Sequence, residues 1–174
     1  MNSKKWPIII ALLIPVICLG CGYHFSPGGE NIDQSLQTVF VENFSNRTSE
    51  ANLENYLRNA FINEFRKGSR FDLANSKETA DAFLTGSVNM SSVSHLSYSK
   101  TDVAREDRVN MTIEVALKET KNNEIIWINR NFTGKEAFIV DTDPSRTETN
   151  RKKAIKKLAI DMAEKAYRSI MSGF

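Results

Sequence analysis

The sequence has little cysteine and histidine, and its longest apolar run is too short to cross a membrane. Of its 174 residues two are cysteines, Cys18 and Cys21, and two are histidines. Two neighbouring cysteines give no disulfide framework, and separated histidines without neighbouring ligands do not predict a zinc site. Stability must therefore come from a hydrophobic core, and 41% hydrophobic with 25% charged residues is typical of a globular chain.

Recognisable catalytic motifs are also missing. The sequence has no Gly-x-Ser-x-Gly and no phosphate-binding glycine loop. His24 and His95 are each more typical of a surface or hydrogen-bonded histidine than of a catalytic one. A cell-wall hydrolase remains a minority hypothesis, because no local pattern selects a carboxylate pair from the 21 acidic residues. We therefore expect a protein that is not an enzyme and that binds no metal or cofactor.

The N-terminus carries the pattern of a secretory signal. A basic region of two lysines precedes an almost unbroken apolar stretch over residues 8–19. A membrane-spanning helix needs about 20 apolar residues, so an export signal is the better interpretation. The small residue Gly20 directly before Cys21 resembles the lipobox of bacterial lipoproteins, although Cys18 stands where the usual motif has leucine.

The lipoprotein resemblance implies that residues 1–20 are a signal peptide and that Cys21 carries a lipid anchor. The alternative is a disulfide with Cys18, which would lie inside the leader. Gly22 follows the anchor, where an aspartate tends to hold such proteins at the inner membrane, so the expected place is the outer membrane. Two or more acyl chains hold a protein stably on a bilayer. Residues 21–35, with the turn-rich Ser-Pro-Gly-Gly, would form the anchor and tether.

The net charge does not predict a nucleic-acid partner. The chain has 23 basic and 21 acidic residues, and the leader accounts for the excess through Lys4 and Lys5. The rest of the chain is balanced. We therefore expect no nucleic acid among the partners.

The first half of the domain predicts a strand and a helix. Residues 37–42 (QTVFVE) are rich in β-branched and aromatic types, which indicates a strand. Ser49 is placed to cap a helix that begins at Glu50, and Lys67 followed by Gly68 is a typical helix end. The helix would bury one apolar stripe, formed by Leu53, Tyr56, Leu57, Ala60, Phe61 and Phe65.

Alternation then predicts three consecutive strands. Apolar and polar residues alternate over 82–90 and, most clearly, over 109–117, and a charged connection at 100–107 joins the two. Residues 121–124 (KNNE) predict a hairpin turn that leads into a partner strand over 125–132. Short connections between consecutive strands favour an antiparallel meander.

The last helix has the clearest boundaries and completes the fold. Asp143 is a suitable cap, Pro144 suits the first helical position, and Gly173 follows the last turn. The expected fold class is α+β, a two-layer sandwich with two helices on one face of a four-stranded, mostly antiparallel sheet. The apolar face of this helix would consist of Ile155, Leu158, Ala159, Met162, Ala166 and Ile170.

Two groups of side chains suggest binding surfaces, and each has a plainer explanation. Residues 151–157 hold five cations at the helix end where the dipole does not favour them, yet a solvated helix face explains most such runs. Trp127, Phe132 and Phe138 could form a recognition surface, although aromatic residues beside strands are more often core.

The ordered set of motifs resembles the LptE family of lipopolysaccharide-assembly lipoproteins. The matching stretches are CGYHF at 21–25, VFVENFSNRT at 39–48, LENYLRNAFINEF at 53–65, ADAFLTGSV at 80–88, and the strand pair RVNMTIEVALKET with EIIWINRNFTG. The resemblance makes residues 36–174 a single LptE-like domain. It implies two helices on a four-stranded sheet and a non-enzymatic role as the plug of an LptD-type β-barrel translocon, which the protein helps to fold.

The resemblance also implies lipopolysaccharide binding, but it does not transfer the family's contact residues to this chain. Arginine and lysine bind phosphate well, and the cations around the predicted strand ends are candidates by location alone. Interleaved acidic residues favour plain solvation of the same side chains. The alternative function is that of a lipid-anchored adaptor of another envelope secretion or transport complex. The candidate residues are Lys100, Arg105, Arg108, Arg130 and Lys135.

Overall fold

The chain alternates short strands, two helices and a long antiparallel meander. A computed structural model describes residues 32–96 and 105–173. Its elements are β1 (Thr38–Val41), β2 (Ser45–Asn46), α1 (Leu53–Lys67), β3 (Asp72–Leu73), β4 (Ala82–His95), β5 (Arg105–Glu119), β6 (Ile125–Val140) and α2 (Pro144–Ser172).

The sheet has the order β3-β1-β4-β5-β6, and β2 also pairs with β4. The three long strands form the predicted antiparallel meander, whereas β1, β2 and β3 pair in parallel. The α+β class is confirmed, but the sheet has six strands where four were predicted. The two additional strands, β2 and β3, are each only two residues long and pair with distant segments. No local sequence pattern therefore predicts them.

Both helices pack on one face of the sheet and enclose the core. Side chains alternate across a strand, and every second residue of β5 from Val109 to Leu117 is at most 1% exposed. The predicted stripes of both helices face this layer, with Tyr56 half-buried and the other members buried. The fully buried large side chains include Phe61, Phe65, Leu84, Met111, Ile113, Leu117, Leu158 and Met162.

The predicted start of α1 is wrong by three residues. The helix begins at Leu53, and its N-cap is Asn52, which has a φ of 66° and makes no side-chain cap hydrogen bond. The reason is a turn ahead of the helix, in which the Asn46 amide donates to the Glu50 carbonyl at 2.7 Å. Glu50 therefore belongs to the turn, and Ser49 is not the cap.

The helix does end at Gly68, although this residue does not take the left-handed conformation that is common after a helix. Gly68 has a φ of −74° and is extended. A Cβ atom there would overlap the Tyr167 hydroxyl of α2. A larger residue here would therefore require the Tyr167 side chain to move.

All three strands of the meander differ from the prediction. A register shift between Val88 and Met90 turns Met90 away from the core, and its side chain is 55% exposed. β5 begins at Arg105, inside the segment predicted as a charged connection. β6 continues to Val140 rather than ending at Phe132, because residues 133–140 pair with the first residues of β5.

The boundaries of α2 are confirmed. The Asp143 carboxylate accepts a hydrogen bond from the Ser145 amide at 2.8 Å, Pro144 is the first helical residue, and Gly173 has a φ of 75°. The hydrogen bond to Ser145 also lowers the pKa of Asp143, because it favours the charged carboxylate.

Asp81 fastens the start of β1 to the start of β4. One of its carboxylate oxygens accepts hydrogen bonds from the Thr38 hydroxyl and amide, both at 2.8 Å, and from the Gln37 amide at 2.9 Å. These bonds, the Thr38 hydroxyl first, lower the pKa of Asp81. The charged form therefore stabilises the fold above the unfolded pKa of about 4, and this contribution is lost as the pH falls through the lower folded pKa.

We predict that Asp81→Asn lowers the free energy of unfolding by about 1.5 kcal/mol at pH 7, because an amide replaces a charged acceptor. The difference from the parent should shrink as the pH falls below about 4. Urea denaturation at a series of pH values measures it. Asp72→Asn, at an exposed carboxylate, is the matched control, and equal effects of both variants would contradict the role of Asp81.

Candidate interaction surface on the sheet

The face of the sheet opposite the helices is uncovered along most of its length; we call it the helix-free face. On β5 it presents the residues that alternate with the buried ones. All of these except Ala116 remain partly exposed, and most are polar. The residues are Asn110, Thr112, Glu114, Ala116 and Lys118.

One end of the helix-free face is closed by a lysine. Phe83 lies on this face, opposite Lys118, yet is only 3% exposed. The Lys77 ammonium lies 3.5 Å from the centre of the Phe83 ring and also pairs with Glu42 at 2.8 Å. A cation over an aromatic face is attractive, so this end is capped within the chain itself.

The middle of the helix-free face holds a shallow cleft of about 250 Å³. Arg47, Ser87, Glu114 and Lys118 line it together with Ile128. Its hydroxyl and charged groups provide hydrogen-bond donors and acceptors rather than an apolar cavity. The cleft suits a polar surface or a sugar better than an acyl chain.

Two of the five predicted cations meet at the other end of this face. Arg108 lies opposite Ala137, and Lys135 lies opposite Asn110, so they are diagonal neighbours on β5 and β6. Such neighbours are about 7–8 Å apart, close enough to contact one anion together. Beside them, Asn110 of β5 donates to the Ser94 hydroxyl of β4 at 3.0 Å.

The other three candidates are not brought to this pair. Arg105 lies opposite Val140, three residues before Arg108, and therefore on the other face of the sheet. Arg130 is exposed and lies in the register shift near Glu114, away from Lys135. Lys100 lies outside the described residues, as do the lipidation candidate Cys21 and His24.

The basic run at 151–157 is largely used within the fold. Arg151 pairs with Glu50 and, at 2.8 Å, with Glu148, and these hydrogen bonds raise its pKa. Lys157 pairs with Glu136 at 2.7 Å, which raises the pKa of that lysine. These contacts favour the plainer explanation of the run, a solvated helix face with local ion pairs.

The aromatic candidates lie on the helix side of the sheet. Trp127 and Phe132 are partly buried against the core, and Phe138 is 6% exposed. The core interpretation is therefore the one that the structure supports. His95 is a hydrogen-bonded surface histidine, as its sequence context predicts, because its Nδ1 lies 2.7 Å from the Asp107 carboxylate.

Sequence reasoning missed the polar cleft of the helix-free face. Its β5 members occupy the polar positions of a strand whose alternation was recognised, so that signal was present. Ser87 of β4 lies directly opposite Glu114, whereas Arg47 joins them only through the pairing of β2 with β4, which the sequence does not reveal.

Comparison with known proteins decides the family. Residues 36–170 match the family model described as LptE, lipopolysaccharide-assembly. The chain belongs to the LptE family. This places it among the non-enzymatic lipopolysaccharide-assembly lipoproteins of the bacterial envelope. No curated protein matches the sequence.

Solved structures share the fold of this LptE-family chain at low identity. Uncharacterized lipoprotein B from Nitrosomonas europaea is 11% identical with a TM-score of 0.53, covering 79% of this chain and 84% of that one. A PelC dodecamer from Paraburkholderia phytofirmans is 17% identical with a TM-score of 0.50, covering 78% and 89%. At these identities the likeness concerns the fold alone.

Membrane and metal features can be stated for the described part of the chain. Within residues 32–96 and 105–173 neither helix is long and apolar enough to span a bilayer. The same residues bring together no group of three or more metal-binding side chains.

Proposed function

We propose that this chain is an outer-membrane lipoprotein that plugs and supports an LptD-type β-barrel translocon and assists lipopolysaccharide assembly. The observation that carries the proposal is the helix-free face of the sheet. It is uncovered and polar over its middle, and the lumen of a transmembrane barrel is polar too. A domain that leaves one polar sheet face open is suited to rest against such a wall.

The proposed anchor fits this arrangement. Cys21 would carry the acyl chains, and residues 1–20 would be removed as the signal peptide. The segment from Cys21 to the first described residue, Ile32, can span at most about 40 Å when fully extended. The domain would therefore stay within one domain diameter of the bilayer to which the lipid holds it.

Arg108 and Lys135 are the proposed contacts for lipopolysaccharide. They share the helix-free face, and a guanidinium binds a phosphate oxygen pair in a bidentate manner. Asn110 and Ser94, which lie beside this pair, add hydrogen-bonding groups suited to sugar. Arg130 provides a control, because it is exposed on β6 like Lys135 but lies apart from the pair of Arg108 and Lys135.

A second candidate function is an adaptor of another envelope secretion or transport complex. The likeness to a PelC dodecamer favours it, because the same fold is then compatible with an assembly of many copies. Depletion in cells separates the two functions. Loss of surface lipopolysaccharide is expected only for the translocon role.

Co-purification from membranes tests the proposal. We expect the full-length chain to recover a stoichiometric large barrel, and Thr112→Arg on the helix-free face to reduce that recovery at least tenfold by inserting a bulky charge into the contact. Ile160→Arg introduces the same residue at an exposed position of α2 and should leave recovery unchanged. Recovery of the chain alone would overturn the barrel role, and equal recovery with Thr112→Arg would reject this face.

The same preparations give a second readout, the lipopolysaccharide bound per chain. Arg108→Ala should reduce it several-fold, and Arg130→Ala should not. Equal binding by both variants would remove Arg108 from the proposed contact. Cys21→Ser should abolish acylation in mass spectra, and an acylated Cys21→Ser chain would refute the anchor.

A further inference from the structure

β6 forms a long open edge of the sheet. It extends over Ile125–Val140 and, among the described residues, pairs only with β5. The Asn150 side-chain amide of α2 donates to the Ile139 carbonyl at 3.0 Å. The backbone of Ile139 therefore points away from β5.

The direction at Ile139 fixes the direction of its neighbours. The β5–β6 register is unbroken from Phe132 to Val140, and in an antiparallel pair every second residue directs both its amide and its carbonyl outward. Thr133, Lys135 and Ala137 therefore present outward backbone groups that pair with no strand of the described residues. An unpaired strand edge is a template for another strand.

A groove lies beside this edge, between β6 and the start of α2. It encloses about 280 Å³, below the ~300–1,000 Å³ of pockets for drug-sized ligands but roomy enough for side chains. Ala137, Phe138 and Ile139 of the strand and Ala154 of the helix form much of its wall. Apolar side chains of an added strand would be covered there.

Among the described residues, the rim of the groove carries one positive charge without an ion-pair partner, that of Lys153. Lys157 is already neutralised by Glu136 at 2.7 Å and by Asp161 at 3.4 Å. Lys153 also lines the groove, is exposed, and has no carboxylate within ion-pair distance among the described residues. An acidic side chain next to an apolar one would match this site.

We propose that the groove between β6 and α2 binds an extended, acidic segment of a partner protein, which adds to the sheet as a seventh strand beside β6. Main-chain hydrogen bonds to Lys135 and Ala137 supply affinity, and Lys153 selects an acidic residue. A second copy of this chain fits less well. An antiparallel β6–β6 pair centred on the groove would bring two Lys153 side chains to one rim.

The proposal does not depend on the barrel role and is tested separately. Peptides that bind the full-length chain in detergent micelles are selected from a displayed library of random octapeptides. Peptides that also bind the Ala137→Pro variant are removed. Proline removes the outward amide of Ala137 without removing a β5–β6 hydrogen bond. We expect enriched peptides that combine an acidic residue with β-branched ones.

The best enriched peptide is then titrated against matched variants. Ala137→Pro should weaken binding at least tenfold, whereas Ala137→Thr, which keeps the amide, should bind within about twofold. Lys153→Glu should weaken binding of this peptide about fivefold. The same variant should restore binding of a second peptide in which the acidic residue is replaced by lysine. Circular dichroism checks that each variant is folded.

Hydrogen exchange gives an independent measurement. Bound peptide should slow exchange at the amides of Thr133, Lys135 and Ala137. No enrichment over Ala137→Pro, or exchange that slows elsewhere, would overturn the proposal. Dimerisation that depends on protein concentration and protects the same amides without peptide would also overturn it. The same holds if phospholipid vesicles bind the groove and the Ala137→Pro variant binds them equally well.

Discussion

Phe61→Ala is expected to lower the free energy of unfolding by about 4 kcal/mol. Phe61 of α1 is completely buried, and its ring stacks on Phe44 with the centres 5.4 Å apart. Alanine would leave a cavity under the helix and remove the ring contact, and the surrounding strands cannot collapse fully into it. Urea denaturation followed by circular dichroism measures the change.

Asn59→Ala is the matched control for this prediction. Asn59 lies on the same helix but is exposed, so its truncation removes no packing. We expect a change within about 0.5 kcal/mol. If Phe61→Ala proved as stable as Asn59→Ala, the contact between α1 and the sheet would be wrong.

Gly86→Val is expected to destabilise the fold by about 3 kcal/mol, for the opposite reason. Gly86 lies on the helix side of β4, where a Cβ atom would overlap the Phe44 ring and lie 2.8 Å from the Glu114 carbonyl oxygen. The carbonyl belongs to the sheet backbone and cannot move without disturbing the β4–β5 ladder. The same denaturation experiment measures the loss.

Two comparisons isolate the cause of that loss. Thr85→Val exchanges one β-branched residue for another on the helix-free face of the same strand and should be nearly neutral. Gly134→Ala should cost less than Gly86→Val, because the atoms nearest to its Cβ belong to the flexible side chains of Met162 and Leu158. A Gly86→Val chain as stable as Thr85→Val would show that Phe44 does not occupy that position.

The sequence predicts the helices and the meander because their signals are local. Leu53 and Ile155 recur with their neighbours at helical spacing, and Asp143 with Pro144 marks a helix start without reference to the rest of the chain. Met90 shows where this fails. It continues the apolar alternation of β4, yet one extra residue ahead of it reverses its side.

The candidate surface was predictable only in part, for a related reason. Arg108 and Lys135 could be named from their positions near strand ends, but which face each occupies depends on the register between β5 and β6. Arg105 and Arg108 lie three residues apart and so point to opposite faces. Partners such as Arg47 enter through parallel pairing of distant segments, which carries no local pattern.

The parallel pairing of β1 with β4 constrains the order in which the chain can fold. Thr38 and the Asp81 carboxylate that fastens it are 43 positions apart. The meander can instead start to pair next to its connections, where His95 lies opposite Asp107 and Lys118 lies opposite Ile125. Local contacts form sooner than distant ones. The ribosome makes β1 first, but that strand has no place in the sheet until β4 exists. The earliest of the described strands to be synthesised is therefore among the last to be incorporated, and a chaperone that shields it has the longest interval in which to act.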